Sequence, residues 1–229
     1  VGGRLSPKKY PYPSNSRILE NQSSSGNIQF VDVTEKKNST LKNIGLVTTS
    51  KWVDIDGDSW EDLVIAGEWM SIHIFKNNEG KSFTDITEDV YKAEQGGWWY
   101  DIEKGDFDND GDMDLIVGNL GLNYKYQASV DKPFRVYLND FDENATYDIV
   151  LSYKSDDTEY PVRGRQCSSE QMPAIKEKFK NYNSFANASL EEIVMALNTR
   201  ADIFPYKTSV LTNYLTEISD KVSDFSGFN

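Results

Sequence analysis

The chain has 229 residues, of which 38% are hydrophobic and 13% aromatic, enough for one β domain of generous size or two small ones and too much for wholesale disorder. With 24 Lys+Arg against 37 Asp+Glu the net charge is −13, which argues against nucleic acid and against anionic membrane surfaces as partners. A single cysteine, Cys167, rules out an internal disulfide, and no apolar run is long enough to span a membrane as a helix.

The first organised stretch is Ile18-Leu-Glu-Asn21, followed by Phe30, Asp32 and Thr34. It returns as Ile74-Phe-Lys-Asn77 with Phe83, Asp85 and Thr87, the last three at an offset of 53 residues. An acidic loop starting at Asp54 returns at Asp106, an offset of 52. A period near ~50 residues filled with short strands and Gly/Asn turns predicts propeller blades of four strands each. Lys51–Val53, Leu63–Ala66, Ser71–Lys76 and Ser82–Thr87 read as one such unit, with Leu115–Gly118 and Phe134–Asn139 as counterparts in the next. At about 50 residues per blade the chain holds about four units, so the expected fold is all-β: a partial β-propeller with a small helical insertion.

Three acidic segments carry the chemistry. They are Asp54-Ile-Asp56-Gly-Asp58-Ser-Trp60-Glu-Asp62, Asp106-Phe-Asp108-Asn-Asp110-Gly-Asp112-Met-Asp114 and Asp140-Phe-Asp142-Glu-Asn144-Ala-Thr146-Tyr-Asp148. Twelve aspartates and two glutamates of the 37 acids lie here, and such crowding destabilises a compact state unless something neutralises it. Side-chain oxygens recur at positions 1, 3, 5 and 9, with a backbone carbonyl expected at position 7 (Trp60, Asp112, Thr146). Hard cations such as calcium take six to eight oxygens in flexible geometry, which a tight turn of alternate carboxylates supplies. Two to three calcium ions, one per loop, are therefore expected. Magnesium prefers fewer carboxylates and more water, while one His and one Cys cannot build a usual zinc or iron site. These loops are not EF-hands: position 12 is Ile65, Val117 or Leu151 instead of glutamate, and a strand follows position 9.

After Ile149-Val-Leu-Ser-Tyr153 the pattern changes. Residues 173–200 hold apolar positions at helical spacing (Ile175, Phe179, Tyr182; Leu190, Ile193, Val194, Leu197), and Ser189 stands where an N-cap would, with Glu191 and Glu192 in the first turn. Two short helices are expected there, inserted between strands. This divides the chain into blades over 1–172, a helical insertion over 173–200 and a further strand or tail segment over 201–229. No apolar stretch follows Val1-Gly-Gly-Arg4, and the start reads as the interior of a longer product.

The Asp-x-Asp-x-Asp-Gly-x-x-Asp-Leu pattern, followed by an apolar strand, resembles the FG-GAP or VCBS-type repeat of integrin α-like β-propellers over about residues 1–165. Gly45-Leu, Trp52-Val-Asp-Ile-Asp56, Gly67-Glu-Trp69, Gly97-Trp-Trp99 and Gly118-Asn-Leu-Gly-Leu122 are similar to bacterial exported proteins of this type, including those associated with ASPIC/UnbV segments. The resemblance implies a calcium-stabilised propeller on an extracellular, periplasmic or cell-surface protein. It implies recognition or adhesion, with a glycan or protein ligand or neighbouring domains of a larger chain as partners. A calcium-dependent polysaccharide-active enzyme and a purely structural scaffold are the rival readings; fold analogy supports all three.

Other residues are weighed individually. Trp98, Trp99 and Tyr100 read as core before they read as a sugar platform. Glu68 and Glu103 read as solvated surface before they read as an acid/base pair. His73 is expected to face solvent, Arg163 and Arg165 to form inter-strand salt bridges, and Cys167 to lie in a polar loop. Four Asn-x-Ser/Thr sequons (Asn21, Asn38, Asn144, Asn187) matter only where the host glycosylates.

Overall fold

The computed structural model describes residues 1–90, 96–126, 128–129 and 131–197. They fall into two compact units, one within Val1–Asn123 and one within Tyr124–Thr212. The fold is mostly β-sheet with few helices, as expected; no closed propeller is found among the described residues. No described helix is long and apolar enough to cross a membrane.

In the first unit a hairpin of β1 (Leu19–Asn21) and β2 (Phe30–Asp32) leads into α1 (Thr34–Lys37). Next comes an antiparallel meander of β3 (Leu46–Val53), β4 (Asp62–Met70), β5 (His73–Asn78) and β6 (Ser82–Asp85), closed by α2 (Thr87–Val90). These are the four strands expected of one blade. Every residue of β4 is buried. Its run Leu63-Val-Ile-Ala alternates between two cores: Val64 and Ala66 join Ile72, Ile74, Trp99 and Val117, while Leu63 and Ile65 join Leu41, Phe75 and Phe83. A strand covered on both faces needs apolar residues at successive positions, so β4 lacks polar alternation. The first half of β4 pairs with β5 and its end with β7 (Gly97–Gly105), through Glu68↔Trp98 and Met70↔Gly97. β7 then pairs with β8 (Asp114–Asn119).

The repeat noted in the sequence is a hydrogen-bond relay. Asp32 Oδ1 accepts from the N–H (3.1 Å) and hydroxyl (2.6 Å) of Thr34, whose Oγ1 accepts from the Ile18 N–H at 2.9 Å. Asp85 and Thr87 repeat this: Thr87 donates twice to Asp85 Oδ1 and accepts from the Ile74 N–H at 3.0 Å. Each relay ties the start of a one-turn helix back to the preceding strand, so β1–β2–α1 and β5–β6–α2 are the same device used twice.

In the second unit β9 (Phe134–Asn139), β10 (Asp148–Ser155) and β11 (Thr158–Pro161) form an antiparallel sheet. This corrects the expectation for Phe134–Asn139. It is no later strand of the preceding blade, because it enters the third acidic loop and pairs with the strand leaving it, as β3 and β7 do for the first two loops. The short interval before the third loop follows from that. Four helices come next, not two, and they begin at Arg165 instead of 173: α3 (Arg165–Gln171), α4 (Ala174–Lys178), α5 (Tyr182–Ala186) and α6 (Leu190–Ala196). Each is too short to persist alone. A shared core of Met172, Ile175, Phe185, Ile193 and Leu197, with Phe141 from the third loop, holds them. Ser189 caps α6 as expected, in a reciprocal capping box with Glu192. The segment 201–229 lies outside the described residues.

Candidate metal centres

Each acidic loop is the connection of an antiparallel strand pair. The residue before position 1 faces position 9 across the ladder: Val53↔Asp62, Gly105↔Asp114 and Asn139↔Asp148. Positions 4 and 6 are left-handed in all three, at Gly57, Asn109 and Glu143 (φ 74°, 63°, 57°) and at Ser59, Gly111 and Ala145 (φ 71°, 100°, 65°). Two left-handed residues among alternating ones curl the backbone tightly, and the glycine that occupies position 6 only in the second loop is dispensable at some cost in strain.

The hydrogen bonds repeat as faithfully. The position 1 carboxylate accepts from the N–H of position 6: Ser59 to Asp54 at 2.9 Å, Gly111 to Asp106 at 3.1 Å and Ala145 to Asp140 at 2.8 Å. The position 5 side chain accepts from the N–H of position 7: Trp60 to Asp58 at 2.8 Å, Asp112 to Asp110 at 3.0 Å and Thr146 to Asn144 at 2.8 Å. The position 9 carboxylate is buried, only 1%, 6% and 2% exposed at Asp62, Asp114 and Asp148. It accepts from the N–H of position 2: Ile55 at 3.0 Å, Phe107 at 2.7 Å and Phe141 at 3.1 Å.

These bonds leave oxygens facing one another. Asp54, Asp56 and Asp58, then Asp106, Asp108 and Asp114, then Asp140, Asp142 and Asp148 each bring carboxylate oxygens within 4.8 Å. Asp62 is not among the convergent oxygens of the first loop; Asn77 (2.7 Å) and Ile55 occupy its two oxygens. Asp110 and Asp112 are likewise outside the convergent carboxylate sets, and Asp110 and Asn144 brace the turn. One buried carboxylate oxygen in every loop has no hydrogen-bond partner: Asp54 Oδ1, Asp114 Oδ1 and Asp142 Oδ1. A buried acceptor left unpaired costs free energy, and a cation is one group that could satisfy all three.

Burial pushes the carboxyls of Asp62 and Asp148 above the usual range, and neighbouring acids (Asp56 and Asp58; Asp142 and Asp140) push the same way. Asp108 is raised too, by desolvation and by Asp110, Asp114 and Asp106. Crowded carboxylates of this kind are stabilised in their charged form by positive charge nearby. The first loop already has some: Lys76 Nζ on β5 contacts Asp56 Oδ2 and lies 3.7 Å from Asp58 Oδ2. Sequence reasoning missed this lysine, which lies 14 residues beyond the end of the loop and reaches it only through the β4–β5 pairing.

The family comparison matches the span from the first position of loop one to the strand after loop two. Residues 54–117 match the family model of the FG-GAP-like repeat. An FG-GAP-like repeat indicates a β-propeller-like module of the kind often used in adhesion or recognition. Separately, a stretch of 42 residues is 55% identical to part of the 2-isopropylmalate synthase of Methylorubrum populi, and 50% identical to part of that of Dechloromonas aromatica. Each match covers 18% of this chain and 8% of the synthase, so the chain spans under a tenth of these curated relatives.

The remaining candidates are placed as follows. Trp99 is fully buried, Trp98 partly, and Tyr100 is exposed, so these three do not form one platform. Glu68 is not surface: it is 8% exposed and accepts from Arg4 (2.6 Å) and the Tyr100 hydroxyl (3.2 Å). Glu103 pairs with Lys51 at 3.0 Å. His73 Nδ1 lies 3.5 Å from Asp85 Oδ2 and is half-buried. Among the described residues Arg163 and Arg165 make no strand salt bridge; Arg163 donates to Gln171, and Arg165 donates to the Phe179 carbonyl with its guanidinium over the Tyr182 ring. Cys167 is exposed, on α3 and not in a loop.

Proposed function

We propose that this chain is the calcium-binding β-propeller region of an exported or surface protein, acting as a recognition or adhesion module toward a glycan or protein ligand. The observation that carries the metal assignment is the buried, unpartnered carboxylate oxygen in each of three loops with one backbone. Asp54, Asp56 and Asp58; Asp106, Asp108 and Asp114; and Asp140, Asp142 and Asp148 would hold the ions. Calcium would supply charge neutralisation and a fixed strand entrance. The chain's own part is to brace the loops through the position 5 and position 9 side chains. Glu68 and Glu103 are each engaged by a cation of their own, which favours binding over catalysis.

Thermal unfolding followed with calcium and with chelator tests the metal assignment. Ligands held only by the folded state stabilise it by mass action, about 2.7 kcal/mol per site at a hundredfold excess over Kd. A midpoint unchanged by chelator contradicts the assignment. Binding to a glycan array without product release supports the recognition role, and turnover of any glycan opposes it.

A further inference from the structure

Three loops with one backbone differ in how much positive charge the protein itself brings to them. The ammonium of Lys76 rests on Asp56 and stands 3.7 Å from Asp58, two of the three carboxylates that converge in the first loop. Lys104 flanks the same loop, 3.7 Å from Glu61. Among the described residues no salt bridge reaches the acids of the second or third loop. The internal neutralisation is incomplete, because the third convergent carboxylate, Asp54, keeps its buried Oδ1 without a partner.

An ammonium is a compact charge on a flexible stem, and the Lys76 side chain is 38% exposed, so it can leave the loop for solvent. A divalent ion entering the loop must displace it or bind beside a like charge at contact distance. Either route weakens that site relative to its two equivalents. In return, the loop is partly neutralised when no ion is bound, which the other two are not.

We propose that Lys76 is a built-in competitor for the cation of the first loop, setting that site's calcium affinity below those of the other two and grading the response of the chain to calcium. This rests on the metal reading above. The competitor arrives from β5, whose register opposite β4 (Leu63↔Phe75, Val64↔Ile74) brings the next residue of the strand to the mouth of the loop.

Calorimetric titration of the chelator-treated chain with calcium tests it, alongside Lys76→Met and Lys76→Arg variants whose folding is checked by circular dichroism. The wild type is expected to show two sites of similar affinity and one about tenfold or more weaker. Lys76→Met should bring the weak site to within about threefold of the others, and Lys76→Arg, which keeps the charge, should leave it weak. Terbium emission sensitised by Trp60, at position 7 of the first loop, assigns the change to that loop; Trp60→Phe should abolish this signal. Three sites of unchanged affinity in Lys76→Met overturn the proposal and leave the metal reading standing. Absence of calcium binding in wild type and variants alike overturns both.

Discussion

At Asp62 two backbone donors, Ile55 and Asn77, converge on a side chain that is almost wholly buried. Its job is to hold the loop ends together, with or without an ion. Asp62→Ala leaves both N–H groups without their acceptor and should cost about 3 kcal/mol in urea unfolding, even in chelator. The Asp–Thr relay makes a similar prediction. Thr87→Val keeps the shape but removes the acceptor of the buried Ile74 N–H and the donor to Asp85, so unfolding should be easier by about 1–3 kcal/mol. Asp85 also gives a pH dependence. Burial pushes its carboxyl up, but His73 and the two Thr87 donors outweigh burial and lower it from 3.8 to about 2. A depressed carboxyl contributes stability that is present above pH 3.8 and lost as pH falls through about 2. With the side chain 39% exposed, screening reduces the effect to about 1 kcal/mol. Comparing urea midpoints of wild type and Asp85→Asn between about pH 6 and pH 2 should show the difference vanish at the acid end.

The elements show which parts of the fold are legible in sequence and why. The acidic loops are legible because carboxylates at alternate positions have few other uses, and the relay because Phe-x-Asp-x-Thr recurs with its spacing intact. The role of β9 is not: an apolar alternation such as Phe134-Arg-Val-Tyr-Leu marks a strand without saying which loop it feeds. α3 is hidden as well, since Arg-Gln-Cys-Ser-Ser-Glu-Gln has no apolar period and buries two serines. The left-handed positions were visible only where glycine marked them. Ala145 pays that strain with a Cβ, so Ala145→Gly should stabilise the third loop or be neutral, while Gly111→Ala should cost about 1 kcal/mol in the second. In β4 a Cβ on Gly67 would stand 2.1 Å from the Leu46 carbonyl oxygen, so Gly67→Ala should force β3 and β4 apart and lower the melting temperature more than any loop glycine substitution.

Across the whole molecule a net charge of −13 is concentrated in three turns. Three divalent ions would bring it to −7. The metal-free chain should therefore gain stability as monovalent salt rises, because screening at ~0.1 M acts over about 10 Å, while the calcium-loaded chain should respond far less. Urea midpoints in chelator and in calcium, each across a salt series, check this; equal slopes oppose it. Anomalous difference density from calcium-grown crystals tests the central claim most directly. A peak is predicted inside each loop, against Asp54, Asp106 and Asp140 and their convergent partners, with the first loop the last to fill. Solvent alone at these places, with the side chains turned outward, would contradict it.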